Sequence, residues 1–180
     1  MPELWNPRAA RVQIHDAGSF TGGGWKLCWH TTEGESADGA IATFRLNGDA
    51  PHFTLEVRPF RRARLFQHVP LDRASSSLRH PSGTPETNHA NVIQVEICGF
   101  AKDSPKWSGR KYWHIRRLAR WIEANAGVRR AAYHPFIGQP GYHRLSGNGW
   151  VRAIGHVGHC HCPNNDHVDP GTIRIDKVLA

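Results

Sequence analysis

The sequence has no long hydrophobic run. No apolar stretch in its 180 residues approaches the roughly 20 needed to cross a bilayer, which argues against a spanning helix and membrane insertion. The start, Met1-Pro2-Glu3-Leu4-Trp5-Asn6-Pro7-Arg8, lacks a basic segment followed by an apolar one. No signal peptide is therefore expected, and the product should accumulate in a cytoplasm until another factor releases it. Internal repeats and low-complexity tracts are also missing. Cysteine is sparse, with Cys28, Cys98, Cys160 and Cys162 only, and without an export signal a disulfide framework is a poor expectation. Acidic residues are in short supply: 15 Asp and Glu stand against 23 Lys and Arg, for a net charge of +8. That imbalance favours anionic partners (nucleic acid, acidic wall polymers or a membrane surface) without choosing among them. The cations are scattered apart from Arg61-Arg62-Ala63-Arg64 and the trio Arg116, Arg117 and Arg120, and such clusters most often form a solvated face.

What is present suits one folded domain. A hydrophobic content of 39% and a charged content of 21% argue against general disorder, and 180 residues suffice for one real core. Short β-like runs are expected at residues 25–30, 52–57, 65–69 and 92–98. In the last of these, Ile93, Val95 and Ile97 alternate with Gln94, Glu96 and Cys98. Apolar positions Tyr112, Ile115, Leu118, Ala119, Ile122 and Ala126 recur at three- and four-residue spacing, predicting a helix over 108–125 that stops at Gly127. A weaker helix is expected over 36–46. The polar stretch 75–86 and the segment 138–141 read as loops. The fold class expected from this order is α/β (α+β), a central mixed β-sheet flanked by helices.

Thirteen histidines are many for this length, and they crowd towards the C-terminus. The run Gly158-His159-Cys160-His161-Cys162-Pro163-Asn164-Asn165-Asp166-His167-Val168-Asp169-Pro170-Gly171 offers imidazoles, thiols and a carboxylate, a mixture that zinc tolerates. Two arrangements compete. A local finger could use Cys160, Cys162, His167 and another His, but its cysteines are one residue apart where structural sites usually leave two to four. Alternatively His159 and Asp169 could join a distant histidine, leaving a fourth position open for water as catalytic zinc sites do. His30 ends a β-like run beside the polar turn Thr31-Thr32-Glu33-Gly34 and is well placed for this, although a lone histidine is more often a surface or satisfied core residue.

The segments Cys28-Trp29-His30-Thr31-Thr32-Glu33-Gly34, Asn91-Val92-Ile93-Gln94-Val95-Glu96-Ile97-Cys98-Gly99-Phe100 and Gly158-His159 through Asp169-Pro170-Gly171 resemble, in order and spacing, three motifs of the type 2 N-acetylmuramoyl-L-alanine amidases. These are zinc amidases related to peptidoglycan recognition proteins, and the closest flavour is the phage lysis enzyme. The stretch Gln67-His68-Val69-Pro70-Leu71-Asp72-Arg73-Ala74 is similar to the segment before that group's catalytic strand, so the likeness covers about residues 24–176. The resemblance implies zinc held by His30, His159 and Asp169. It makes Glu96 the catalytic carboxylate and His167 a group that steadies the transition state. It implies bacterial peptidoglycan as partner, cut at the amide between N-acetylmuramic acid and L-alanine. The chain would act as a monomeric catalytic domain that lacks a wall-binding domain or is a fragment of a longer lysin.

Other residues carry weaker expectations. A carboxylate amid Ile93, Val95 and Ile97 is costly to bury unless paired or near a metal, although the polar face of that strand could simply be wet. Asn165 and Asp166 could support the site. Cys28 and Cys98 could border the metal or act as small hydrophobes, and Cys160 and His161 could compete as ligands. His52, His80 and His89 could line a substrate groove or be ordinary histidines. Two rival functions stand beside the amidase: a non-catalytic wall-recognition module of the same fold, and a zinc-containing nucleic-acid binder using the helix with Arg116, Arg117 and Arg120.

Overall fold

A computed structural model describes residues 3–78, 86–139 and 143–180. It contains strands β1 (Ala10–Arg11), β2 (Lys26–Thr31), β3 (Phe53–Glu56), β4 (Arg64–Gln67), β5 (Val92–Ile97) and β6 (Gly155–Gly158), and helices α1 (Ala37–Asn47), α2 (Gly109–Ala126), α3 (Gly147–Arg152) and α4 (Ile175–Leu179). Two 3-10 helices, Ala101–Lys106 and His159–His161, follow β5 and β6. The strands form one sheet in the order β1-β4-β3-β5-β2-β6. Only the β3–β4 pair is antiparallel, so the sheet is mixed, flanked by helices, as the alternation of elements predicted. No helix among the described residues is long and apolar enough to cross a membrane.

Local sequence explains the two main helices. In α2 the Ser108 hydroxyl accepts from the Lys111 N–H at 3.2 Å, and Gly127 ends the helix at a φ of 69°. In α1 Ser36 and Gly48 do the same work. The serine caps contribute about 1 kcal/mol each by satisfying N–H groups left free in the first turn. The apolar stripe Tyr112, Ile115, Leu118, Ala119 and Ile122 of α2 packs on one sheet face, against Leu27, Trp29, Phe53, Leu55, Ile93, Val95 and Ile97.

The opposite face carries Cys28, His30, Gln94 and Glu96, alternate positions of β2 and β5, with Cys98 just past the end of β5. Part of it is covered by Ala37, Ile41 and Phe44 of α1, which pack with Phe66 and Cys98. Another part is covered by Trp150, Ala153 and Cys162, which pack with Cys28 and Val157. Consequently all six residues of β5 are buried, and a wet polar face for this strand is corrected. The physical reason is topological: a central strand with parallel neighbours is covered on both sides, whatever its alternation suggests.

Candidate metal centre

The parallel register of β2 and β5 sets His30 directly beside Glu96, both near the C-terminal ends of their strands. Strand β6 pairs with the other edge of β2 and delivers His159 just past its end. Glycine is required there. A Cβ at Gly158 would come within 2.7 Å of Pro170 Cδ, and one at Gly155 within 2.3 Å of the Ala131 carbonyl. Asp169 arrives on the turn that Gly171 closes by donating its N–H to the Val168 carbonyl. Gly171 has a φ of 68°, and a Cβ there would sit 2.2 Å from the Ala101 carbonyl, so the turn lies tight against the first 3-10 helix.

The three side chains converge. His30 Nδ1 lies 3.2 Å from His159 Nδ1 and 3.6 Å from Asp169 Oδ2, and His159 Nδ1 lies 3.2 Å from Asp169 Oδ1. All three residues are buried, with ligand atoms within 4.8 Å of one another. Tetrahedral zinc, with donors about 2.0–2.2 Å from the metal, would space those donors roughly 3.3–3.6 Å apart, so the donor set and its dimensions both fit. Among the described residues no other group of three or more His, Cys, Asp or Glu side chains converges in this way.

Electrostatics favour ligand-ready forms. Burial, reinforced by the nearby His159, lowers the His30 pKa to about 3 and keeps the imidazole neutral. Burial works to raise the Asp169 pKa, but hydrogen bonds from His159 and His167 outweigh it and hold the carboxylate ionised. Glu96 behaves oppositely. Burial first, and then the charge of Asp169, push its carboxyl well above the usual range. Its Oε1 is 3.8 Å from His30 Nδ1, and its buried Oε2 has no hydrogen-bond partner among the described residues. His167 stacks on His159, with ring centres 4.0 Å apart, and reaches Asp169 Oδ1 at 3.4 Å while its side chain remains 45% exposed.

The other candidates separate clearly. Asn165 braces the C-terminal loop: its Nδ2 donates to the His159 and Cys162 carbonyls, and its Oδ1 accepts from the His167 N–H. Asp166 is exposed. His161 accepts from the Gly158 N–H at Nδ1 and uses Nε2 on the Pro135 carbonyl, so both its nitrogens are engaged away from the ligand group. Cys28 and Cys162 pack together in an apolar cluster and Cys98 packs in another, as small hydrophobes. The local finger of Cys160, Cys162 and His167 does not form. His52 is fully buried, with Nδ1 accepting from the Gln94 N–H and Nε2 donating to the Arg73 carbonyl, which corrects its placement in a groove. His89 is half-buried and bonded to Glu86 and the Ala17 carbonyl. His80 lies outside the described residues.

Two supporting groups escaped the sequence reading. The Thr31 N–H donates to Asp169 Oδ2 at 3.3 Å, which only the fold could reveal. Gln94 sits beside His30 closely enough to favour its protonated form, although neither His30 Nε2 nor Gln94 Oε1 makes a bond of ordinary geometry. Gln94 Nε2 is held by Asn88 Oδ1 at 2.9 Å. The alternation of β5, which puts residues 94 and 96 on one face, was the available signal.

No protein-family model and no curated protein sequence matches the chain. Solved structures do. The hydrolase AmiA of Staphylococcus aureus, solved with its ligand, superposes with a TM-score of 0.58 at 14% identity, over 98% of this chain and 82% of that one. The N-acetylmuramoyl-L-alanine amidase LysC of Clostridium intestinale URNW gives 0.56 at 11% identity, over 96% and 95%. AmpD gives 0.58 at 12% identity, over 97% and 94%. At such low identity the shared property is architecture, and the chain has the fold of these proteins along almost its whole length.

Proposed function

We propose that the chain is a zinc-dependent peptidoglycan amidase, cleaving the amide between the lactyl group of N-acetylmuramic acid and L-alanine of the stem peptide, as a phage lysis enzyme does. One observation carries the reading. Residues 129 and 139 positions apart, His30 with His159 and His30 with Asp169, meet in a buried group with zinc-like dimensions beside a buried carboxyl. The fold shared with LysC supports the choice of bond.

His30, His159 and Asp169 would hold the ion. Once bound, zinc would acidify a water from a pKa of about 15.7 towards about 7 and polarise the scissile carbonyl. Glu96, on the strand beside His30, takes the proton from the attacking water and passes it to the leaving nitrogen of L-alanine. Its burial suits this task, because raising the pKa of a carboxyl makes its ionised form a stronger base towards the attacking water. His167, at the exposed rim, donates to the oxygen on which charge develops; losing such a donor typically costs roughly 100-fold in rate or more.

The test combines metal content with product analysis. The wild type should carry close to one zinc per chain and release a free L-alanine amine from purified peptidoglycan, with activity lost on chelation and regained with zinc. His30→Ala and Asp169→Ala should lose both metal and activity. Full activity in the chelated protein, or a product with a newly exposed reducing sugar end, would overturn the reading.

A further inference from the structure

One concavity of the described residues is lined by none of the proposed ligands. It has a volume of about 890 Å³ and lies between the turn joining β3 to β4 and the segment joining β5 to α2. Because β2, β3 and β5 run parallel, this is the same edge of the sheet at which His30 and Glu96 sit. Six cations line the cavity, Arg58, Arg61, Arg62, Lys106, Arg110 and Lys111, against two acids, Glu35 and Asp103.

These charges are largely uncompensated. Arg58 pairs with Glu56 at 3.2 Å. Arg110 spends its guanidinium on neutral groups, donating from Nη1 to the Arg58 carbonyl at 2.7 Å and from Nη2 to the Arg61 carbonyl. Lys111 donates to the Cys98 carbonyl and lies 3.9 Å above the Trp107 ring, in space left by the missing side chain of Gly99. Arg61, Arg62 and Lys106 make no ion pair with any described residue.

The turn is also built to present its side chains. Phe60 adopts a φ of 55°, an uncommon conformation for a bulky residue, and is fully exposed. The two bonds from Arg110 tie that turn to the first turn of α2. A random solvated cluster needs neither a clamp nor an aromatic held outward in a strained backbone.

We infer that this cavity binds a phosphodiester polymer of sugars or polyols, separately from the bond-cutting centre. The excess of cations over acids exceeds what a single carboxylate would neutralise and suits a chain of repeated charges. Guanidinium forks match phosphate oxygens in paired hydrogen bonds. Phe60 offers a face on which a sugar ring or polyol backbone can pack. The choice of a wall-linked polymer rests on the peptidoglycan reading above; the anion site itself stands on the cavity alone.

The experiment uses the full chain and titrates poly(glycerol phosphate), with polyglutamate and phosphatidylglycerol vesicles as parallel probes. Expected are saturable binding to poly(glycerol phosphate), a loss of roughly tenfold or more in affinity for Arg61→Ala/Arg62→Ala, and a smaller loss for Phe60→Ala. Unchanged thermal melting and unchanged cleavage of a soluble muropeptide should accompany those losses, since these residues are exposed and none belongs to the ligand group. Equal binding by wild type and double variant would overturn the inference by making the attraction diffuse. Equal or tighter binding of polyglutamate would assign a carboxylate site instead, and binding to the vesicles alone would assign a membrane. Binding is read without any cleavage, so a failed amidase assay would leave this result standing, and the converse also holds.

Discussion

Replacing Glu96 by glutamine should move activity and stability in opposite directions. The residue is 8% exposed, stands on a central strand, and has one carboxyl oxygen with no partner among the described residues. As the proposed proton carrier it should contribute roughly 100- to 10,000-fold to the rate, so Glu96→Gln should lower kcat by that factor with little change in KM or zinc content. The same carboxyl is a burden on the metal-free fold, because its charge is buried next to Asp169. A carboxyl whose folded pKa lies above its unfolded value takes up a proton on folding. Its contribution to stability is therefore fully present below the ordinary value of 4.5 and is lost as pH rises towards the folded pKa. Glutamine has nothing to titrate, so the advantage of the variant over chelated wild type should open as pH climbs from 4.5 to 8. For a chain of 180 residues each 1 kcal/mol relieved raises Tm by about 3 °C, a difference that scanning calorimetry resolves. A variant that keeps more than a tenth of the wild-type kcat would remove Glu96 from the chemistry. One that melts below the chelated wild type at pH 8 would refute the burial argument.

Three further outcomes are expected. Burial lowers the His52 pKa to about 4, so the unfolded chain binds a proton that the folded one refuses below pH 6.5; stability present above pH 6.5 should fall as pH drops towards 4, by about 3 kcal/mol at most, and urea titrations of His52→Gln should be flatter over that window. Gly171→Ala should cost more than about 2 kcal/mol and lower any zinc content, since its Cβ would strike the Ala101 carbonyl, whereas Gly39→Ala inside α1, where a Cβ meets only the Ser36 Cβ at an ordinary 3.9 Å, should add about 0.5–1 kcal/mol; equal effects in denaturant melts and metal analysis would count against the close-approach argument. Glu123 joins Arg120, Arg130 and the fully buried His156, whose other nitrogen accepts from Trp29 Nε1; Glu123→Ala should cost about 2–4 kcal/mol without altering zinc content, and a loss below 0.5 kcal/mol would show the network to be ornamental.

Local pattern and spacing were enough for the elements that speak through periodicity. The stripe of α2, with Ser108 before it and Gly127 after it, yielded a helix over 108–125 where Gly109–Ala126 forms, and the strands at β2, β3, β4 and β5 came within a residue or two of their positions. The short pieces had no such voice. Strand β6 reads Gly-His-Val-Gly and pairs because β2 offers an edge and because only glycine clears the Ala131 carbonyl. Strand β1 and helices α3 and α4, of two, six and five residues, are likewise too short to show a period. The sequence by itself determined which residue types could grip a metal and the resemblance that ranked them, because donor chemistry is a property of the side chain. It could not decide that His30 stands 3.2 Å from His159, that Glu96 is buried rather than wet, or that the cations of the β3–β4 turn face a cavity. Those are distances across the chain, and they exist only once parallel pairing has brought three strand ends to one edge of the sheet.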